Sequence, residues 1–188
     1  MMTRCSWASL DNKLYQDYHD NEWGVQVHDD KTHFEFLVLE GAQAGLSWET
    51  ILKRRVGYRK AFANFNVKKV ANFTQVDFNK IIKNPGVIRN KLKIKSAINN
   101  AQKFIEIQNE FESFDKYVWE FVKNKQIVHK LKTSKDYPVF IKEAEELSKD
   151  LKNRGFTFVG PTIMYAHMQA CGLVNDHTIN CFRRKEVM

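Results

Sequence analysis

Three cysteines, three prolines and no long apolar run set the first limits on this 188-residue chain. An odd number of cysteines (Cys5, Cys171 and Cys181) cannot all pair within one chain, and the opening MMTRCSWASLDNK has no apolar core of an export signal. Metal binding or plain burial is therefore the expected use of the thiols, and the cytoplasm is the expected location. So few prolines exclude collagen-like and proline-rich classes. No stretch approaches the roughly 20 apolar residues of a membrane helix, so no membrane partner is expected. Alternating β-branched runs are almost absent; residues 126–129 and 156–159 are the short strand-like pieces.

What is present is an ordinary globular mixture, 43% hydrophobic and 28% charged. The length suits one domain over residues 1–188, with a core burying about 70% of the unfolded surface. The balance of 30 Lys+Arg against 22 Asp+Glu gives +8. The cations cluster, with Lys80, Lys83, Arg89, Lys91, Lys93 and Lys95 in one short stretch and Lys149, Lys152 and Arg154 in another. That favours nucleic acid or an anionic surface as partner, though basic proteins are common.

Apolar residues recur at three and four over 31–46 (Phe34, Leu37, Val38, Gly41), 48–65, 90–109, 114–122, 139–154 and 162–171. Ser47 suits a helix start, Thr74 another before a short helix that stops at Asn84-Pro85-Gly86, and Gly155 and Gly172 suit helix ends. The fold class expected is a compact all-α domain, with 123–137 as its most mobile loop.

Three groups of residues could carry chemistry. Cys5 and His19 lie near one end, and His177 and Cys181 near the other with i, i+4 spacing. Two Cys and two His suit a closed tetrahedral zinc site. The thirteen residues between Cys5 and His19 lie outside zinc-finger spacings, so on residue types alone ordinary cysteines and histidines remain the preferred reading. His28, His33, His129 and His167 are read as ordinary outright. The segment 81–91 reads helix, Pro85-Gly86 turn, helix. Gly86 would let a backbone N–H approach an anion, the next helix start would offer free N–H groups, and Arg89, Lys91 and Lys93 add charge. Finally, Glu40 interrupts an apolar stretch near the face of Phe36 and Leu37, in a third of the chain that also holds Trp7, Tyr15, Tyr18, Trp23 and Trp48. Aromatic rings with one carboxylate suit a flat cationic ligand. Aromatics filling the core, with Glu40 at its edge, is the alternative that residue types alone favour.

The blocks Tyr18-His19-Asp20-Asn21-Glu22-Trp23-Gly24, Leu39-Glu40-Gly41-Ala42-Gln43-Ala44-Gly45-Leu46-Ser47-Trp48, Arg154-Gly155-Phe156-Thr157-Phe158-Val159-Gly160 and Met168-Gln169-Ala170-Cys171-Gly172-Leu173-Val174-Asn175-Asp176-His177 resemble the 3-methyladenine DNA glycosylase I family. The resemblance runs from Cys5 to about Cys181. It implies an all-helical fold of the helix-hairpin-helix glycosylase superfamily. It also implies a structural zinc on Cys5, His19, His177 and Cys181, joining about 1–25 to 172–185. The implied reaction is hydrolysis of the N-glycosidic bond of 3-methyladenine in double-stranded alkylated DNA, leaving free 3-methyladenine. Carried over by position, Glu40 contacts the methylated base, Trp48 stacks on it and Tyr18 forms a second wall. Trp7, Tyr15 and Trp23 complete the lining, and Gly86, Val87, Arg89 and Lys91 fall in the DNA-gripping hairpin. A monomer is expected.

Two departures stand out. The hairpin, Asn84-Pro85-Gly86-Val87-Ile88, is less glycine-rich than in many superfamily members. No lysine matches the nucleophile of lyase-competent relatives, and Asp115, the nearest downstream aspartate, reads better as a helix cap. The chemistry expected is therefore monofunctional. A base methylated at N3 is cationic and leaves readily, so no strong general acid is needed; the enzyme must flip the nucleotide and hold the base. Leu46 is the candidate wedge for the vacated stack. Two rivals are a non-catalytic hairpin module, which needs neither Glu40 nor the aromatics, and a zinc hydrolase, which needs an open ligand position.

Overall fold

The computed structural model describes residues 3–8 and 11–188. Most helices start where a short polar side chain takes the first free N–H groups. Asn12 opens α1 (Lys13–Asn21) by accepting from Tyr15 N–H, and Asp29 opens α2 (Asp30–Gln43) through Thr32 N–H. Ser47 opens α3 (Trp48–Leu52), which α4 (Arg55–Ala61) follows. Asn66 opens α5 (Val67–Ala71), and a Thr74–Asp77 capping box opens α6 (Gln75–Ile81). Asn90 opens α7 (Lys91–Phe111) and Ser113 opens α8 (Phe114–Glu120). Then come α9 (Lys142–Asn153), α10 (Pro161–Ala170) with proline in its first turn, and α11 (Arg183–Glu186). Two short strands, β1 (Ile127–Val128) and β2 (Val174–Asn175), pair in parallel, Ile127 opposite Val174. The chain is mostly helical, and no helix among the described residues is long and apolar enough to cross a membrane.

Helix α2 is the axis of the core. Every residue from 33 to 42 is buried, and α3, α7, α8 and α10 pack around it. Such a helix is apolar on all sides, so the two carboxylates it buries, Glu35 and Glu40, need partners. Helix α7 buries Ile94, Ala97, Ala101, Phe104 and Ile107 along one face, and Phe104 stacks on Phe114 with centroids 4.1 Å apart.

Three expectations are corrected. The helix expected over 48–65 is broken between α3 and α4, and it ends in a left-handed turn at Ala63, Asn64 and Phe65 (φ 50, 52 and 56°). Left-handed residues cost about 1–2 kcal/mol each; complete burial of Phe65, parallel to Phe62, offsets this. The strand-like piece 156–159 forms no strand, because side chains satisfy its backbone. Ser96 and Asn100 donate to Thr157 O, Asn100 accepts from Thr157 N–H, and Ser148 donates to Val159 O. The segment 123–137, expected as a loop, instead carries the short strand β1, and within it Leu131 is buried with its carbonyl accepting from Ile179 N–H.

The break before α4 lets Gly57 meet the turn after α6. A Cβ at Gly57 would sit 2.2 Å from the Gly86 carbonyl oxygen. Gly57→Ala should therefore destabilise the protein by about 1–3 kcal/mol, the usual cost of overpacking, although alanine is the better helix former. Urea unfolding reads the change, and an unchanged or higher midpoint contradicts this contact.

Candidate functional site

Trp7, Tyr15, Tyr18, Trp23, Glu40 and Trp48, separated by up to 41 positions in sequence, line one open pocket of about 280 Å³. Helix α1 supplies Tyr15 and Tyr18, α2 supplies Glu40, and α3 begins with Trp48. The rings brace one another, Trp7 lying edge-on to Trp23 at 4.9 Å and to Tyr15 at 5.8 Å, while Tyr18 tilts against Trp48 at 5.5 Å. The Tyr15 hydroxyl accepts from Glu49 N–H, fixing α1 to α3.

Four lining residues escaped the sequence reading: Gln43, Tyr137, Ala166 and Gln169. Gln43 lies three residues after Glu40 on α2, so helical spacing could have found it. Ala166 and Gln169 repeat that spacing on α10. Nothing in the sequence marks Tyr137, whose hydroxyl donates to Asp176 O.

The two buried acids of α2 have different surroundings. Glu35 accepts from Arg55 at 2.6 Å and Arg59 at 2.8 Å, and Arg55 also reaches Glu22. Glu40 has no lysine or arginine partner among the described residues; its Oε2 lies 3.1 Å from His167 Nδ1. Burial pushes the Glu40 carboxyl well above the usual range and holds the His167 imidazole down at about 4. Glu35 is thus not a surface residue, and His167 and His33, read from sequence as ordinary, stand directly behind the pocket acid. Asp115 is no cap either: Ser113 caps α8 and Asp115 accepts from His33.

Cys5, His19, His177 and Cys181 are all buried, with ligand atoms within 4.8 Å of one another. Cys181 Sγ lies 3.4 Å from His19 Nε2 and 3.3 Å from His177 Nδ1; Cys5 Sγ lies 3.6 Å from His177 Nδ1. Tetrahedral ligands on bonds of about 2.0–2.3 Å stand roughly 3.5 Å apart, so this group could hold a metal. The outer ring nitrogens are committed as ligating histidines require. His177 Nε2 donates to Trp23 O, and His19 Nδ1 faces Asp20, itself gripped by Arg4. The Cys5 thiol is drawn down by Cys181, against burial and with help from His177 and His19, while the same contact pushes Cys181 up.

The hairpin differs in detail from the sequence reading. Gly86 N–H donates to Asn84 Oδ1, and the Leu92 and Lys93 N–H groups donate to Asn90 Oδ1, so these amides are taken. Val87 is buried at 3% exposure, its side chain part of the core. Lys93 Nζ is spent on the Ala42 and Ala44 carbonyls at the end of α2. The Arg89 and Lys91 side chains are exposed. Leu46 is 40% exposed between α2 and α3, beyond Gly45, whose φ of +75° turns the chain.

A sequence profile of the methyladenine glycosylase family matches residues 7–184. DNA-3-methyladenine glycosylase 1 of Escherichia coli K12 is 46% identical over 180 residues, which are 96% of either chain. The solved 3-methyladenine DNA glycosylase I of Staphylococcus aureus is 34% identical and superposes with a TM-score of 0.93 over 97% of both chains. A variant of 3-methyladenine DNA glycosylase I solved in complex with 3-methyladenine is 33% identical, with a TM-score of 0.93 over 97% of this chain and 98% of that one. Agreement in sequence and in backbone over nearly the whole length leads to one conclusion: the chain belongs to the methyladenine glycosylase family.

Proposed function

We propose that this chain hydrolyses the N-glycosidic bond of 3-methyladenine in alkylated double-stranded DNA, as a monofunctional glycosylase of base excision repair. One observation carries the reading: Glu40 is a buried carboxylate with no lysine or arginine partner among the described residues, lining an aromatic pocket. The fold neutralises Glu35, on the same helix, with two arginines. Glu40 is left for a cation that comes from outside. Relatives named for 3-methyladenine support the choice of base.

Trp48 stacks on the base and Tyr18 forms the opposite wall, while Trp7, Tyr15 and Trp23 close the sides. Glu40 accepts the base N–H groups and complements its charge. The positive charge on the base weakens the bond, so the protein extrudes the nucleotide, holds the base and shields the developing sugar cation while water adds. Leu46 enters the vacated stack. No lysine is among the described residues that line the pocket, which supports hydrolysis without a Schiff base and a strand left intact. Neutral adenine is rejected for want of charge and for its stronger bond. Base release from methylated duplex by the purified protein, resolved by chromatography, tests the reading.

Helices α6 and α7 with their turn act as the helix-hairpin-helix element of that glycosylase superfamily. Its phosphate contacts come from the Arg89 and Lys91 side chains, with the Gly86–Val87 backbone shaping the turn. Arg89→Ala should then weaken binding to methylated and unmethylated duplex alike and lower the salt slope by about one. Loss confined to methylated DNA would place Arg89 at the base instead.

Cys5, His19, His177 and Cys181 hold one zinc, whose four protein ligands leave no catalytic position. It supplies cross-linking alone, joining residues 1–25 to 172–185 of a single domain over 1–188. The chain acts as a monomer.

A further inference from the structure

A row of four titratable groups leads from the pocket to the surface. Glu40 Oε2 lies 3.1 Å from His167 Nδ1, His167 Nε2 lies 3.3 Å from His33 Nδ1, and His33 Nε2 lies 3.1 Å from Asp115 Oδ1. The first three side chains are 3% exposed or less, and that of Asp115 is 21% exposed. A neutral imidazole carries one donor and one acceptor, so setting one end of the row orients all of it. With Asp115 ionised, His33 donates to it from Nε2. His33 Nδ1 then accepts from His167 Nε2–H, and His167 Nδ1 is left to accept from Glu40. Only the protonated acid can donate there. The resting row therefore keeps its proton on Glu40 and its negative charge at the surface.

The surroundings agree. Burial raises Glu40 and lowers both imidazoles, whereas His33 and His28 hold Asp115 below the usual range against its partial burial. Tyr18 and Cys171 also face Glu40, and burial keeps both neutral. His28 and Asp30 flank the outer end, where Asp30 accepts from Asp115 N–H, and Asp29 faces Cys171. Cys171 comes within 4.8 Å of both imidazoles, but every ring nitrogen of His33 and His167 already has a neighbour in the row.

We propose that His167 and His33 are positioning residues that take up the Glu40 proton when a cationic base enters the pocket, with Asp115 holding the imidazolium so formed. The Glu40 O–H bond breaks and the His167 Nδ1–H bond forms. Passage of the Nε2 proton to His33 then brings the positive charge against Asp115. No proton leaves the protein and the row keeps its charge of minus one. The empty pocket thus holds a neutral acid and avoids an unpaired buried charge. The carboxylate appears only for a cation, and neutral adenine does not evoke it. This inference rests on the glycosylase reading for the identity of the cation.

Nitrogen-15 NMR of the histidine-labelled protein tests it. Without base, His167 and His33 should both be Nε2–H tautomers. Saturation with a 3,9-dialkylated adenine, cationic and without a sugar to cleave, should convert one of them to imidazolium. An Nδ1–H tautomer at His167 in the base-free protein, or no change at saturation, overturns the proposal. In Asp115→Asn the Glu40 proton must leave to solvent. Single-turnover base release should then slow by about tenfold at neutral pH, the effect of one pKa unit, and should rise with pH where the wild-type rate is level. A pH-independent rate in the variant also overturns it. Failure of wild-type protein to release 3-methyladenine would reject the glycosylase reading, while the base-free tautomers still decide the resting state of the row.

Discussion

Glu40→Gln should slow release of 3-methyladenine by tenfold or more under single-turnover conditions. Hydrogen bonds to a charged acceptor are worth roughly 1.5–3 kcal/mol each, and 1.36 kcal/mol expressed in the transition state is about one decade in rate. A residual rate should survive, because the methylated base carries its own charge. Affinity for free 3-methyladenine should fall as well. The fold should not change: the glutamine amide can still donate to His167 Nδ1, 3.1 Å away, so circular dichroism and Tm should match wild type. Glu106→Gln is a suitable silent control, since that side chain is 60% exposed on α7. Glu35→Gln is not, because buried Glu35 pairs with the mostly buried Arg55 and with Arg59, and removing the acid leaves the Arg55 charge buried with a weaker partner. Wild-type excision and base affinity in Glu40→Gln would assign the carboxylate to the fold.

Cys181→Ala should give the largest loss of stability. A structural zinc contributes its binding energy to folding, and removing one ligand leaves the two chain ends joined by packing and a few hydrogen bonds, such as Phe182 N–H to Thr3 O and His177 Nε2–H to Trp23 O. A loss of several kcal/mol lowers Tm by about 10 °C or more in a chain of this size. Elemental analysis of wild-type protein purified without added metal should find one zinc per chain, and chelation should reproduce the drop. Cys171→Ala, which also empties a buried thiol site, should cost less and stay indifferent to chelator. The effect will reach the pocket, because Trp7 lies 5.2 Å edge-on to His19 and Trp23 lies 4.7 Å from His177, where its carbonyl accepts from Nε2. Base affinity should therefore weaken as Tm falls. Folded, active wild-type protein without metal would remove zinc from the account.

What was legible in the sequence follows from the range of each interaction. Helix periodicity is local, so α2, α7 and α10 stand close to where apolar spacing put them, and Gly155 and Gly172 end helices in positive φ. The six expected pocket residues share one cavity because motif blocks carry long-range proximity that spacing does not. Missed features depend on distant partners. The break before α4 accompanies a close contact of Gly57 with Gly86, 29 positions on. His33 looks like any histidine until α10 brings His167 and α8 brings Asp115 to it. The hairpin amides looked free until Asn84 and Asn90 proved to take them, which moves the expected phosphate contacts onto Arg89 and Lys91.

The most direct test of the account is chromatography of bases released from methylated duplex by excess wild-type protein in a single turnover at neutral pH. 3-Methyladenine should appear, unmodified adenine should stay in the DNA and the strand should remain unbroken at the abasic site. Protein that binds the duplex and releases no 3-methyladenine would contradict it.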